Sequence, residues 1–328
     1  MEGTAFFIFI KNIDLTGENR STNQPVVKHS TGAGLPTARG SMQDMKAQNP
    51  KMTRRSFLKL SLYAVGAAAS TGGYAFWLER NLVSLNTYRI PVPGLPPVFE
   101  GLRIAQLTDL HQGWLMPAEA VRRAVHLANN AGADLIVNTG DNVRDEDGPA
   151  NIDSVWKELA GLRAPLGVYS VLGNHDHYAG VDQSIHRMDQ TGQNLRHRCI
   201  YFERAGSRLW LGGAGDRYSE TDGIDRLFSE TPEEECKILL AHNPDTADLP
   251  FRTPVDLVIS GHTHGGQIRL PFLGAPVVPV RNPSYVSGLV TNTRRRVFIS
   301  RGVGWGGIPL RLNCPPEVAL LVLTRAER

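Results

Sequence analysis

VDLVISGHTHGGQIRLP, residues 255–271, carries a strand-length apolar run directly into two histidines one residue apart, set among glycines. In an extended chain, residues two apart face the same side. His262 and His264 are therefore expected to aim two ring nitrogens into one small space. Convergent imidazoles suit a metal ion, but two histidines are only part of a ligand set. The remaining donors must come from elsewhere in the chain.

The same architecture recurs upstream. Apolar runs of strand length read RIAQLTD (103–109), DLIVNTGD (134–141), GVYSVLGN (167–174) and KILLAHN (237–243), and each closes on a polar residue. Between the first two, Val121, Ala124, Val125 and Ala128 fall at helical spacing, with Pro117 suited to a first turn and Gly132 to a stop. CIYFERAG, RLWLGGAG, VFISRGV and EVALLVLT add more strands than one parallel sheet needs. The expected fold class is α/β, a two-sheet β-sandwich flanked by helices in four layers.

Composition sets bounds. Of 328 residues, 41% are hydrophobic and 20% charged, so the chain can bury a sizeable core. The formal net charge of +3 owes much to Arg54, Arg55 and Lys59 and gives no reason to expect nucleic-acid binding. Three scattered cysteines argue against a disulfide framework and against a thiolate zinc site. Residues 1–51 hold FFIFI and then an aperiodic polar stretch, which reads as disordered or as preceding the true start at Met52. Residues 52–79 open with TRRSFLK and continue into an Ala/Gly-rich run that resembles a twin-arginine export signal. Ala67-Ala68-Ala69 and Gly73-Tyr74-Ala75 are both possible cleavage sites; uncleaved, about twenty such residues would just span a membrane as an anchor. Residues 80–100, with Pro91, Pro93, Pro96 and Pro97, are expected to form a stiff linker to a domain at 101–328. Arg294-Arg295-Arg296 is expected as a solvated turn.

Taken together, the strand ends supply Asp109 and His111, Asp141, Asn174, His175, Asp176 and His177, His242, and His262 and His264. Such edges are where ligands bind in α/β folds. Oxygen and imidazole donors without thiolates suit Mn, Fe, Zn, Ni or Co. Seven donors (Asp109, His111, Asp141, Asn174, His242, His262 and His264) exceed the needs of one ion, whereas two divalent ions sharing a carboxylate would use them all. His126, His186 and His197 lie outside these blocks and are read as non-functional.

The ordered set D-x-H, G-D, G-N-H-D, H, G-H-x-H resembles the calcineurin-like metallophosphoesterases over nearly all of residues 101–328. With the leader and the tail SRGVGWGGIPLRLNCPPEVALLVL, it resembles the bacterial YaeI/YkuE-like branch of small exported or membrane-bound phosphodiesterases. That resemblance implies one ion held by Asp109, His111, Asp141 and His264 and another by Asp141, Asn174, His242 and His262, with Asp141 as the bridge. It also places His175 against the substrate as proton donor, its ring held by Asp176, and leaves His177 as a weaker candidate for substrate contact. The implied reaction is in-line attack of a metal-bridging hydroxide on a phosphoester. Arg144 and Asp145 stand in the reverse of the Asp-Arg order that follows the same valine in protein Ser/Thr phosphatases, which argues against a phosphoprotein substrate.

Three readings stay open. The first is a phosphodiesterase of the bacterial inner membrane, periplasm or cell envelope, delivered by the twin-arginine export machinery and held by its leader if uncleaved. The second is a hydrolase of a lipid-linked pyrophosphate such as a nucleotide-activated diacylglucosamine, suggested by the apolar segment LPFLGAPVVPV (270–280). The third is a non-catalytic metal-binding envelope module.

Overall fold

The computed structural model describes residues 52–144, 148–220 and 223–327. The expectations for residues 1–51, and the position of Asp145, lie outside them. The elements below belong to the unit Arg54–Arg328.

Two sheets face each other. The first runs in the order β1 (Ser84–Pro93), β11 (Glu317–Ala326), β2 (Arg103–Leu107), β3 (Leu135–Asn138) and β4 (Val168–Ser170). The second runs β5 (Cys199–Arg204), β6 (Ser207–Gly213), β7 (Cys236–Leu240), β8 (Leu257–Ser260), β10 (Val297–Ile299) and β9 (Gly288–Val290). β2, β3 and β4 are parallel, as are β6, β7, β8 and β10. Their C-terminal ends therefore share one edge of the sandwich, and that edge carries the polar strand ends.

Alternation along each strand decides the layers. Ile104, Leu135, Val137, Ala319, Leu321 and Leu323 meet Leu209, Leu211, Ile238, Leu240, Leu257, Ile259 and Phe298 between the sheets. The alternate residues Ala105, Leu107, Ile136, Val318 and Leu320 pack outward against α2 (Ala118–Asn129), α3 (Pro149–Leu159) and α4 (Asn174–Gln190). On the far side, Leu239, Val258, Val297 and Ile299 are covered by Phe228, Phe251 and Tyr285 beside the short α5 (Ile224–Leu227). Strands buried on both faces favour apolar residues at successive positions, which is why LIV (135–137) and ILL (238–240) read as unbroken runs. The buried Gln106 side chain crosses between the sheets: its Nε2 donates to Thr139 Oγ1 at 2.8 Å and to the Ser260 carbonyl at 2.9 Å.

Two expectations change, one for the linker and one for the arginine turn. Residues 84–93 are not linker but β1, paired with β11 over its whole length, and Ile90 and Val92 are fully buried between the sheets. Pro91 and Pro93 are compatible with this because residues two apart direct their N–H groups to the same side of a strand. Both missing donors can then face the open edge. Upstream, α1 (Arg54–Gly73) buries no side chain, and among the described residues no helix is long and apolar enough to cross a membrane. Finally, Arg295 is not solvated: it lies over the Phe251 ring at 3.4 Å and donates to the Ala247 and Phe251 carbonyls at 2.6 and 2.7 Å. Burial draws its pKa down to about 10. Arg296 reaches the Pro91 carbonyl at 2.9 Å, which fastens the β9–β10 hairpin to β1.

The strand assignment for residues 84–93 has a direct consequence for stability. Ile90→Ala should destabilise the fold by about 2–5 kcal/mol, the usual range for truncating a buried aliphatic side chain. A urea titration measures this as a lower midpoint at constant slope. A midpoint within error of the parent would mean that the segment is a tether and not a strand.

Candidate metal centre

Each donor sits just past the end of a buried strand, and loop-to-loop hydrogen bonds hold the ends together. Asp109 N donates to the Gly140 carbonyl at 2.8 Å, His111 N to the Asp141 carbonyl at 3.0 Å and Gln112 N to the Asn142 carbonyl at 2.9 Å. The loops after β2 and β3 are thereby zipped side by side. His262 N donates to both Asp109 carboxylate oxygens, at 3.1 and 3.0 Å, which draws in the loop after β8 from the other sheet.

The backbone turns sharply at these points. Asp109, His111, Asp141, His262 and His264 all have positive φ, between 48° and 70°. A non-glycine residue in that region is strained by about 1–3 kcal/mol, tolerated only where its surroundings fix it. Close approach also demands glycine nearby. A Cβ on Gly173 would collide with the Asp141 carboxylate, and one on Gly261 with Thr108 and Asp109. The expectation of an extended His262–His264 segment is corrected here. Thr263 is helical, a tight turn follows from His264, and the two rings point to different groups of ligands.

Those groups are adjacent. In one, His111 Nε2 and His264 Nε2 lie 3.1 Å apart, with Asp109 Oδ1 at 3.5 Å from His264. In the other, His242 Nε2 lies 3.1 Å from His262 Nδ1 and 3.0 Å from Asp141 Oδ2. The same Asp141 Oδ2 is 3.6 Å from His111 Nε2, so this oxygen faces both groups. Asp141 Oδ1 is used differently, accepting from His175 N at 2.9 Å.

The donor chemistry fits divalent cations. His242 Nδ1 faces the Thr139 carbonyl at 2.9 Å, and His262 Nε2 faces the Pro279 carbonyl at 3.0 Å. With protons on those nitrogens, the opposite nitrogen of each ring would present its lone pair to an ion bound beside Asp141, an arrangement that orients metal-binding histidines. Lone pairs crowded at about 3 Å repel unless positive charge lies between them. Asn174 Oδ1 is a buried acceptor without a hydrogen-bond partner, as expected for an amide oxygen aimed at an ion. Burial holds His111 and His264 well below the ordinary histidine range and His262 near 4, the neutral ligand form. Burial would also lower His242, yet the Asp141 carboxylate overrides it and raises His242 to about 10. The space between these two side chains attracts positive charge. Burial pushes Asp109 up to about 6.

The structure thus brings all seven candidate ligands to one sheet edge, although two neighbouring residues take other places. Asp176 does not hold the His175 ring. Its carboxylate accepts from Gly173 N at 3.0 Å, Asp141 N at 2.8 Å and Asn142 N at 2.9 Å. A carboxylate at the third helical position of α4 is well placed for backbone donors, and here those donors belong to two ligand loops. His175 instead packs edge-on against His111, ring centroids 4.7 Å apart, with a nitrogen close to both His111 and Asp141. His177 turns away toward Glu220, its Nε2 3.3 Å from Oε1. Glu220 also pairs with Arg196 and with His197.

Some functional groups left little trace in the sequence. Carbonyl oxygens of Thr139 and Pro279 orient two rings, and a carbonyl acceptor has no residue signature. Gly306 lies against the His264 ring, on a loop gathered by the fully buried Arg311. That guanidinium donates to the carbonyls of Gly304 at 2.9 Å, Arg301 at 2.7 Å and Cys314 at 3.1 Å.

The backbone role of Asp176 predicts a particular phenotype. Asp176→Asn replaces an acceptor with a donor facing backbone N–H groups, and should lower stability by about 1–3 kcal/mol while reducing bound metal. Thermal denaturation and elemental analysis of the same preparation test this. Lost hydrolysis with unchanged melting and metal content would return Asp176 to a chemical role.

Comparison with known proteins agrees with the geometry. The calcineurin-like phosphoesterase pattern matches residues 102–266. The uncharacterized metallophosphoesterase YkuE of Bacillus subtilis is 31% identical over 281 residues, covering 83% of this chain and 98% of its own. Phosphodiesterase YaeI of Escherichia coli is 30% identical over 279 residues, covering 83% and 99%. UDP-2,3-diacylglucosamine pyrophosphatase LpxG of Chlamydia muridarum is 26% identical over 322 residues, covering 80% and 96%.

Proposed function

The chain belongs to the calcineurin-like phosphoesterase family and is a phosphoester hydrolase; from that premise we propose a phosphodiesterase that works with two divalent ions sharing Asp141. The observation that carries the proposal is Asp141 Oδ2, which faces His242 on one side and His111 on the other. Asp109, His111, Asp141 and His264 would hold one ion, and Asp141, Asn174, His242 and His262 the other. When bound, such a pair supplies positive charge to the phosphoryl oxygens and a nucleophile at neutral pH by acidifying water.

The protein's own part is placement and proton transfer. Substrate enters where Asn174 and His175 begin α4, so the helix N-terminus adds partial positive charge facing a phosphoryl group. His175 N is anchored on Asp141 and its ring braced by His111, which sets the imidazole beside the reacting group. From there it donates a proton to the departing alkoxide. Proton donation of this kind contributes about 10²–10⁴-fold.

A second reading is a lipid-linked pyrophosphate as substrate. LpxG carries a name of that type, and the segment 270–280 is apolar and adjoins the site through Pro279. We assign the activity to the cell envelope, reached by twin-arginine export, on the strength of Arg54-Arg55 and the run behind them. The metal would be Mn, Fe, Zn, Ni or Co.

His175→Ala should lower kcat on a chromogenic phosphodiester by about 10²–10⁴-fold while leaving two equivalents of metal bound. Parallel assays with a monoester and a lipid pyrophosphate rank the substrates. Unchanged turnover would remove His175 as donor, and a folded protein that binds one ion would sink the paired-ion reading. Two bound ions with no turnover on any ester would favour the non-catalytic module.

A further inference from the structure

We infer that the rim of the site formed by residues 270–280 and Ile308 docks on an anionic lipid bilayer, so that substrate is met at a membrane surface. The inference goes beyond the hydrolase reading and rests on a different part of the molecule.

The rim is a built structure. Leu270 N donates to the Gly274 carbonyl at 2.8 Å, and Gly274 N to the Leu270 carbonyl at 3.0 Å. The tight turn between them lifts Phe272 to its tip with φ of 66°. Phe272 is 108% exposed, Leu273 76%, Val277 75% and Ile308 52%. A phenylalanine ring held wholly in water leaves apolar area exposed, and insertion of the ring into an apolar phase would remove that cost.

Hydrogen bonds tie this rim to the metal centre and to the leader. Pro279 O faces His262 Nε2, and the Ile308 carbonyl accepts from Gln267 Nε2 at 2.7 Å. Leu312 N donates to the Gln267 carbonyl at 3.0 Å, and Arg311 N to that of Ala75 at 3.3 Å. The end of α1 therefore emerges beside the rim, with Trp77 and Leu78 exposed there, and Phe57, Leu58, Leu60 and Leu62 exposed along the helix.

Charge selects the occupant. Between Asp256 and Glu317 the chain has no Asp or Glu; Arg281, directly after the rim, stands exposed, whereas Arg295 and Arg311 are buried and Arg301 is paired with Glu317, and Arg54, Arg55 and Lys59 stand exposed at the start of α1. Apolar tips followed directly by the exposed Arg281, with no carboxylate in the segment, match a surface of acidic headgroups over acyl chains.

The test uses the metal-loaded full chain and sedimentation with phosphatidylglycerol vesicles, phosphatidylcholine vesicles serving as the neutral control. The parent should sediment with the anionic vesicles. The variant Phe272→Ser/Leu273→Ser/Val277→Ser should partition at least about 10²-fold more weakly, with unchanged melting and unchanged hydrolysis of a soluble diester. Equal sedimentation of parent and variant would overturn the inference, as would failure of the parent to bind. Loss of self-association in ultracentrifugation with vesicle binding intact would instead assign the rim to a second copy of the chain, and also overturns it. Vesicle binding by a parent that hydrolyses no ester would sink the hydrolase reading alone.

Discussion

Electrostatic crowding around Asp141 is the constraint from which the remainder of the site follows. One carboxylate oxygen stands between imidazole nitrogens from both sheets, and each of those rings is locked in orientation by its other nitrogen or by close packing. A buried anion among neutral lone pairs is tolerable only beside positive charge. Two sheets packed face to face with their strand ends along one edge, five residues at positive φ and glycines at the points of closest approach all serve that arrangement. The strain is local, and the apolar layer between the sheets supplies the rigidity that holds it.

Much of this was legible from strand ends. Apolar runs closing on Asp, His or Asn marked β2, β3, β4, β7 and β8, and their shared direction placed the donors along one edge. Burial on both faces makes such runs conspicuous. β1 escaped because its prolines suggested a stiff extended spacer, whereas an edge strand accepts proline on its open side. Asp176 was misjudged for a related reason: adjacency to His175 implied a side-chain partner, but the helical turn directs its carboxylate back to the N–H groups of Gly173, Asp141 and Asn142. The burial of Arg295 was equally hidden. Its partners are carbonyl oxygens of residues more than forty positions away.

Two buried charged groups shape the site from behind. Asp176 joins the loops after β3 and β4 through three backbone donors, fixing the distance between Asp141 and Asn174. Arg311 gathers the carbonyls of Arg301, Gly302, Gly304 and Cys314, which sets Gly306 beside His264. Both use a charged side chain as an internal hub for main-chain groups. Neither resembles a surface ion pair, whose contribution salt would screen.

The docking of residues 75–81 bears on maturation. Glu79 Oε1 accepts from Cys314 N at 2.6 Å, and the Arg80 guanidinium lies 4.0 Å from the Phe76 ring and 4.9 Å from that of Trp305. Trimming at Ala67–Ala69 would leave this clasp whole. A cut after Ala75 would create a new ammonium group on Phe76, next to the Arg80 guanidinium, and would sever the chain at the residue whose carbonyl Arg311 uses. Were the leader removed, contacts at the far end of the polypeptide would thereby set an upper limit on how much of the beginning could be lost with the clasp intact.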